Sequence, residues 1–135
     1  MSEFIVFDTS VLVDHLRTNR HALRMANLDA PVRNSSVVLA ELWRGTVTPV
    51  DQKVVGALQR RHSILTPTAN NWLESGRILA KIYQDKGLEP HKLRDLHFDV
   101  PIALTVRSYG ARLITSNRAD FKLIREYRSF KMEVW

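Results

Sequence analysis

Three carboxylates in this chain sit where carboxylates are costly. Asp8 interrupts the apolar run "FIVFDTSVLVDHL", Glu41 lies inside "VVLAELW", and Asp99 lies inside "HFDVPIALTV". An isolated carboxylate in apolar surroundings must be paired, neutralised or bound to a cation, because its desolvation costs several kcal/mol. Each has an ordinary account on its own: Asp8 as a helix cap, Glu41 on an exposed helix face, Asp99 as a helix-start residue. Jointly they say more, since acids near strand ends and helix starts of one small domain can converge on one cleft. Converging carboxylates repel, so at neutral pH they share protons or hold a metal. All-oxygen donors favour hard cations, magnesium or manganese. No histidine set competes: His15, His21, His62, His91 and His97 form no HxxxH pair and read as surface or packing residues. Glu89, Glu126, Asp29 and Asp51 have the surroundings of solvated or capping residues. The chemistry expected of a magnesium cluster on a basic chain is phosphodiester hydrolysis, with an activated water and a stabilised transition state.

Elements must bring these acids together. Residues 3–7 read as a short buried strand, and Thr9 or Ser10 as the cap of a helix through about Arg17. "NSSVVLAELWRG" reads as a strand end and then a helix capped by Ser35 or Ser36, with Gly45 near its end. Pro49 and Asp51 introduce a helix over "DQKVVGALQRRH", and "SILT" is a strand. "ANNWLESGRILAKIYQDKG" carries apolar residues at helical spacing, with Gly87 to stop it. "FDVPIALTVRSYG" is a further helix, with Pro101 in its first turn and Gly110 closing it. "RLITS" is a strand, "NRADFKLIREY" holds a short helix, and "FKMEVW" is a last strand. Short loops are expected at 46–50 and 87–94. This alternation predicts an α/β/α sandwich with a mostly parallel sheet of about five strands. In such sheets sites form at the carboxyl ends of strands, where Asp8 and the "TSN" segment fall.

The bulk properties agree with a single domain over residues 1–135 that has a proper core. The hydrophobic fraction is 44% and the charged fraction 25%. No run is long enough to cross a membrane, and no signal-peptide pattern opens the chain. There are no cysteines, which excludes disulfides and cysteine zinc sites and fits a cytoplasmic protein. Twenty Lys and Arg face 14 Asp and Glu, a net charge of +6 that attracts polyanions or an acidic partner protein.

The same residues carry a family resemblance. "FDTSVLVDHL", "SSVVLAELWRG" and "FDVPIALTVRSYGARLITSNRADF" resemble, in order and spacing, the motifs of PIN-domain proteins. In particular they resemble the VapC-type ribonuclease toxins of type II toxin–antitoxin pairs. The resemblance runs over nearly the whole length. It implies that Asp8, Glu41 and Asp99 are the core metal-binding acids, and that Asn117 and Asp120 stand at the family's variable fourth position. Many members carry Asp where this chain has Asn117. An amide oxygen can still ligate or orient a water, and Asp120 either supplies the missing charge or caps the helix that begins there. Asp95 is expected to be solvated or supporting, because Pro101 argues against one helix through both Asp95 and Asp99. Thr9, Ser10 and Thr115 either cap helices or hold Asp8 in place. Arg44, Arg107 and Arg118 are candidates for RNA phosphates.

The resemblance further implies a magnesium- or manganese-dependent endoribonuclease, a homodimer, and a cognate antitoxin that places a segment in the acidic pocket. The helices around Trp43 and Trp72 are candidate interfaces. Two other readings stand beside it. One is a non-catalytic PIN relative that binds nucleic acid or protein. The other is a receiver-type signalling domain with Asp8 as phosphoacceptor, against which "SILTPT" lacks the Asp expected after the third strand.

Overall fold

A computed structural model describes residues 3–135; the first two residues of the expected domain lie outside the described residues. The chain order is β1 (Ile5–Phe7), α1 (Thr9–Thr18), α2 (Ala22–Ala26), β2 (Asn34–Ser35), α3 (Ser36–Arg44) and α4 (Pro49–Arg61). It continues through β3 (Ile64–Leu65), α5 (Ala69–Lys86), α6 (Pro90–Ser108), β4 (Arg112–Thr115), α7 (Arg118–Arg125) and β5 (Lys131–Val134). Successive strand residues point to opposite faces of a sheet, and Ile5, Val6 and Phe7 are all buried. Both faces of the sheet are therefore covered by helices, as a parallel sheet requires.

β1, β4 and β5 form one parallel sheet in the order β1-β4-β5, and β2 and β3 form a second parallel pair. A parallel bridge between Ile5 and Val32 joins the two. So do the hydrogen bonds from Ile5 N–H to Pro31 O and from Arg33 N–H to Ile5 O. The spatial order is then β3-β2-β1-β4-β5, five parallel strands as the sequence predicts. Chain order reverses between β1 and β4, and in open α/β sheets the crevice outside the strand ends at such a reversal is where ligands bind.

Local chemistry explains most boundaries. Ser35 Oγ accepts from Val38 N–H to start α3. Thr48 with Asp51, and Thr68 with Asn71, form reciprocal capping boxes at α4 and α5. Gly87 ends α5 with φ 59°, a left-handed conformation that costs glycine little.

Three expectations need correction, and one element was not expected. The loop expected over 87–94 is largely helical: α6 begins at Pro90 and passes through both Asp95 and Asp99, with Pro101 in its interior. Residues 99–106 of α6 are all buried, so packing outweighs the hydrogen bond that Pro101 cannot make. α4 likewise begins inside the loop expected over 46–50. The cap position of α1 is Asp8 rather than Thr9 or Ser10, and no side chain caps that helix. α2, a single short turn, has no counterpart in the sequence reading.

Candidate functional site

Asp8 is fixed by the sheet before its side chain is considered. Its N–H donates to Ile114 O across the β1–β4 ladder, at 2.9 Å. Its carboxylate, 3% exposed as a residue, accepts from Ser10 Oγ at 2.7 Å and from Thr115 Oγ1 at 2.9 Å. Those hydroxyls also brace the chain beyond β4: Ser10 Oγ accepts from Ser116 N–H, and Thr115 Oγ1 from Asn117 N–H. Thr9 donates its hydroxyl to Glu41 Oε1 at 2.8 Å, tying the start of α1 to α3. Glu41 borders the stripe of Val37, Val38 and Leu42 that α3 buries, and is itself half-buried. Asp99 follows Leu96 by one turn on the buried face of α6.

Asp120 is held from two sides. Asn117 Nδ2 donates to Asp120 Oδ2 at 2.9 Å, and the Lys92 ammonium pairs with Oδ1. Asn117 itself caps α7, its Oδ1 accepting from Asp120 N–H. Of the two roles open to Asp120, capping therefore belongs to Asn117, while the Asp120 carboxylate is buried and faces the acids.

These groups line one cleft of about 610 Å³ together with Thr9, Ser10, Arg44, Arg94, Asp95, His97 and Phe98. Elements from both ends of the chain supply it, at the point where strand order reverses. Its electrostatics follow from burial and like charge. The Asp99 carboxyl is pushed up to about 8, by burial first and then by the charges of Asp8, Asp120, Glu41 and Asp95. Burial also raises Asp8, against the lowering effect of the Ser10 and Thr115 hydroxyls. Glu41 is raised chiefly by burial, and the Thr9 hydrogen bond opposes the shift.

The cleft thus gathers Asp8, Glu41, Asp99, Asn117 and Asp120, with Thr9 and Ser10 in its wall and Thr115 beneath Asp8. Arg44 reaches its lip, stacked 5.2 Å from the Phe98 ring centroid. Arg107 does not; it bonds to the Ser129 carbonyl and hydroxyl instead. Arg118 is exposed at the start of α7, outside the cleft lining. Asp95, solvent-exposed as expected, stands at the mouth. His97, read from sequence as surface or packing, lines the cleft, and Lys92 went unnoticed. Lysine in the polar run "EPHKLRDLH" gives no local signal, because its partner is 28 residues away.

The donor chemistry fits a hard divalent cation: carboxylate, amide and hydroxyl oxygens, with excess negative charge. Among the described residues, no three His, Asp or Glu side chains stand close enough as placed to hold one ion. As placed, Asp8 is held by Ser10 and Thr115, Glu41 by Thr9, and Asp120 by Lys92.

Comparison with known proteins follows the same lines. The PIN domain family model matches residues 5–127. The fold is similar to DNA-bound VapBC from Salmonella typhimurium, with a TM-score of 0.75 and 23% identity over 100% of this chain and 99% of that one. It is similar to VapBC-1 from nontypeable Haemophilus influenzae, at 0.71 and 21%, over 98% of each chain. A third likeness is VapBC-5 from Mycobacterium tuberculosis, a member of the VapBC family of toxin–antitoxin systems. Its TM-score is 0.56 and its identity 20%, over 97% of this chain and 96% of that one. No curated protein matches the sequence.

Proposed function

The chain belongs to the PIN-domain family, and on that premise we propose that it is a magnesium- or manganese-dependent endoribonuclease, the toxin of a toxin–antitoxin pair. One observation carries the reading. Acids from the end of β1 and from α3, α6 and α7 line a single cleft at the strand-order reversal, in a chain of net charge +6. The receiver alternative falls with the family assignment.

Asp8, Glu41 and Asp99 are the residues that would hold the cation, with Asp120 and Asn117 beside them. When bound, a divalent ion supplies the charge that activates a water and steadies the phosphate as its P–O bond breaks. The chain's own contributions are positional. Ser10 and Thr115 orient the Asp8 carboxylate, and Thr9 orients Glu41, as the outer partners of ligating groups do. Arg44 and Arg94 at the lip draw the RNA backbone towards a pocket that its acids alone would make repellent.

An antitoxin partner has a surface to meet. Leu16, Val47, Val50 and Val54 are exposed along a groove that shares Thr9 and Glu41 with the acidic cleft. Apolar surface of that kind is what a partner helix covers. Exposed Trp72, Leu73 and Tyr83 on α5 support a homodimer contact. No described helix is long and apolar enough to cross a membrane; a cytoplasmic location is part of the same proposal.

The separation of the acids favours one competing reading, a PIN relative that binds RNA without cutting it. Incubating purified protein with mixed cellular RNA in magnesium, manganese or EDTA decides between them. Metal-dependent cuts that vanish in folded Asp8→Asn and Asp99→Asn proteins are expected. Intact RNA in every lane, with retained binding, would favour the non-cutting relative.

A further inference from the structure

A cation is fixed beside the acidic cleft, on the Asp120 that lines it. Lys92 sits in the first turn of α6, and Asp95 and Asp99 follow it at three and seven residues, on the same helix face. Its ammonium pairs with Asp120, whose side chain is 6% exposed while that of Lys92 remains 37% exposed. Asp95 and Asp99 add their attraction to that of Asp120. Asn117 occupies the remaining Asp120 oxygen. Asp120 is thus neutralised by an ammonium of the chain itself, whereas Asp8 has hydroxyl and backbone N–H donors and Glu41 has the Thr9 hydroxyl with Arg44 nearby. An ammonium carries three donors; one meets Asp120, and the exposed side of the group leaves others for an incoming oxyanion.

We propose that Lys92 is a fixed catalytic cation of this site. Held on Asp120, it stands in for a second divalent ion and contacts a non-bridging oxygen of the phosphate being cleaved. The inference rests on the nuclease reading and adds to it a metal stoichiometry of one and a residue outside the acidic set. Asp120 then serves as the seat of Lys92 rather than as a metal ligand. A fixed charge aimed at the transition state is worth more than a mobile one, because nothing has to reorganise at the moment of reaction.

The test measures manganese binding to the full chain by calorimetry, alongside RNA turnover, for wild type, Lys92→Met, Lys92→Arg and Asp120→Asn, each checked for folding. Wild type is expected to bind one ion. Lys92→Met releases Asp120 as a ligand, so it should bind manganese about tenfold more tightly or take up a second ion. Its turnover should fall by about 100-fold. Lys92→Arg should keep a stoichiometry of one and recover most of the turnover. Asp120→Asn keeps the test decisive should Lys92→Met not fold: it should lose turnover yet still bind one ion. Unchanged manganese binding in Lys92→Met, unchanged turnover in Lys92→Met, or loss of the ion in Asp120→Asn each overturns the proposal. A wild type that neither binds manganese nor cuts RNA overturns the nuclease reading, and the role of Lys92 with it. A wild type that does both beside an indifferent Lys92→Met overturns only the latter.

Discussion

Burial and like charge act together most strongly at Asp99. Its carboxyl titrates near 8 in the folded protein and near 3.8 when the chain is unfolded. Between those values the folded state keeps a proton that the unfolded state has released, so stability falls as pH rises across the window and is lowest above it. Asp8 and Glu41, raised in the same direction, add to the slope. Metal-free protein should therefore melt lower at pH 8 than at pH 5. Asp99→Asn removes the largest part of the slope and should melt about 5 °C or more above wild type at pH 8. Circular-dichroism melts in EDTA at pH 5, 6.5 and 8 measure both, and parallel curves for the two proteins would refute the assignment. Thr115 allows a second prediction. It is fully buried and serves Asp8 and the Asn117 N–H at once. Thr115→Val leaves that N–H without its acceptor and should cost about 1–3 kcal/mol in urea denaturation. The acids of the site were legible in the sequence because a carboxylate in an apolar run stands out. Their hydroxyl partners and Lys92 were not, because ordinary polar residues become unusual only through contacts made far along the chain.

Elements carry the site as rigid mounts, and the mounts differ in how openly the sequence announces them. α3 declares itself at both ends: Ser35 accepts from Val38 N–H, and Gly45 follows the last turn. Since Ser35 is buried and its hydroxyl starts the helix that holds Glu41, Ser35→Ala should lower stability by about 1 kcal/mol. The Thr9–Glu41 contact lies beyond the first turn of α3, so RNA cleavage by the folded variant should stay within a few-fold of wild type. Chemical denaturation and turnover measured on the same preparation check the pair of expectations; equal stability would mean that the cap contributes nothing. α6 is the contrary case. Pro101 reads as a first-turn residue, and the polar stretch before it looks like a loop, yet the helix starts at Pro90 with Glu89 in the cap position. Proline forbids one hydrogen bond, and the burial of Val100, Ile102, Ala103, Leu104 and Val106 compensates for it. Local propensity could not weigh that term, because it depends on what α6 packs against, chiefly α5, α7 and the sheet. The continuation matters for function, since it alone brings Lys92 and Asp95 onto the helix that carries Asp99.

At the scale of the molecule, strand alternation gave the fold class but not the order β3-β2-β1-β4-β5. Order depends on which edges pair, and no single segment encodes that. Once known, it explains why Asp8 and Thr115, distant in sequence, end beside each other at the reversal point. The same scale governs how a basic chain with an acidic cleft meets RNA. The chain carries a net charge of +6 although its cleft is acidic, and Arg44 and Arg94 stand at the lip, so backbone contacts rather than the acids should set affinity. Each phosphate neutralised on a single strand releases counterions and contributes about −0.7 to the slope of log affinity against log salt. Four such contacts would weaken binding by about 50-fold between 50 and 200 mM salt. Asp8→Asn separates binding from cutting: without metal chemistry it should still bind RNA, with the same salt slope as wild type in EDTA and with affinity equal or higher, because one repelling charge is gone. Fluorescence anisotropy of a labelled single-stranded RNA across that salt range makes the comparison. Salt-independent binding would mean that RNA is held by stacking around Phe98 and His97 instead of by charge. Binding lost both in folded Asp8→Asn and in wild type once EDTA is added would mean that the cation bridges protein and phosphate in the ground state as well as during cleavage.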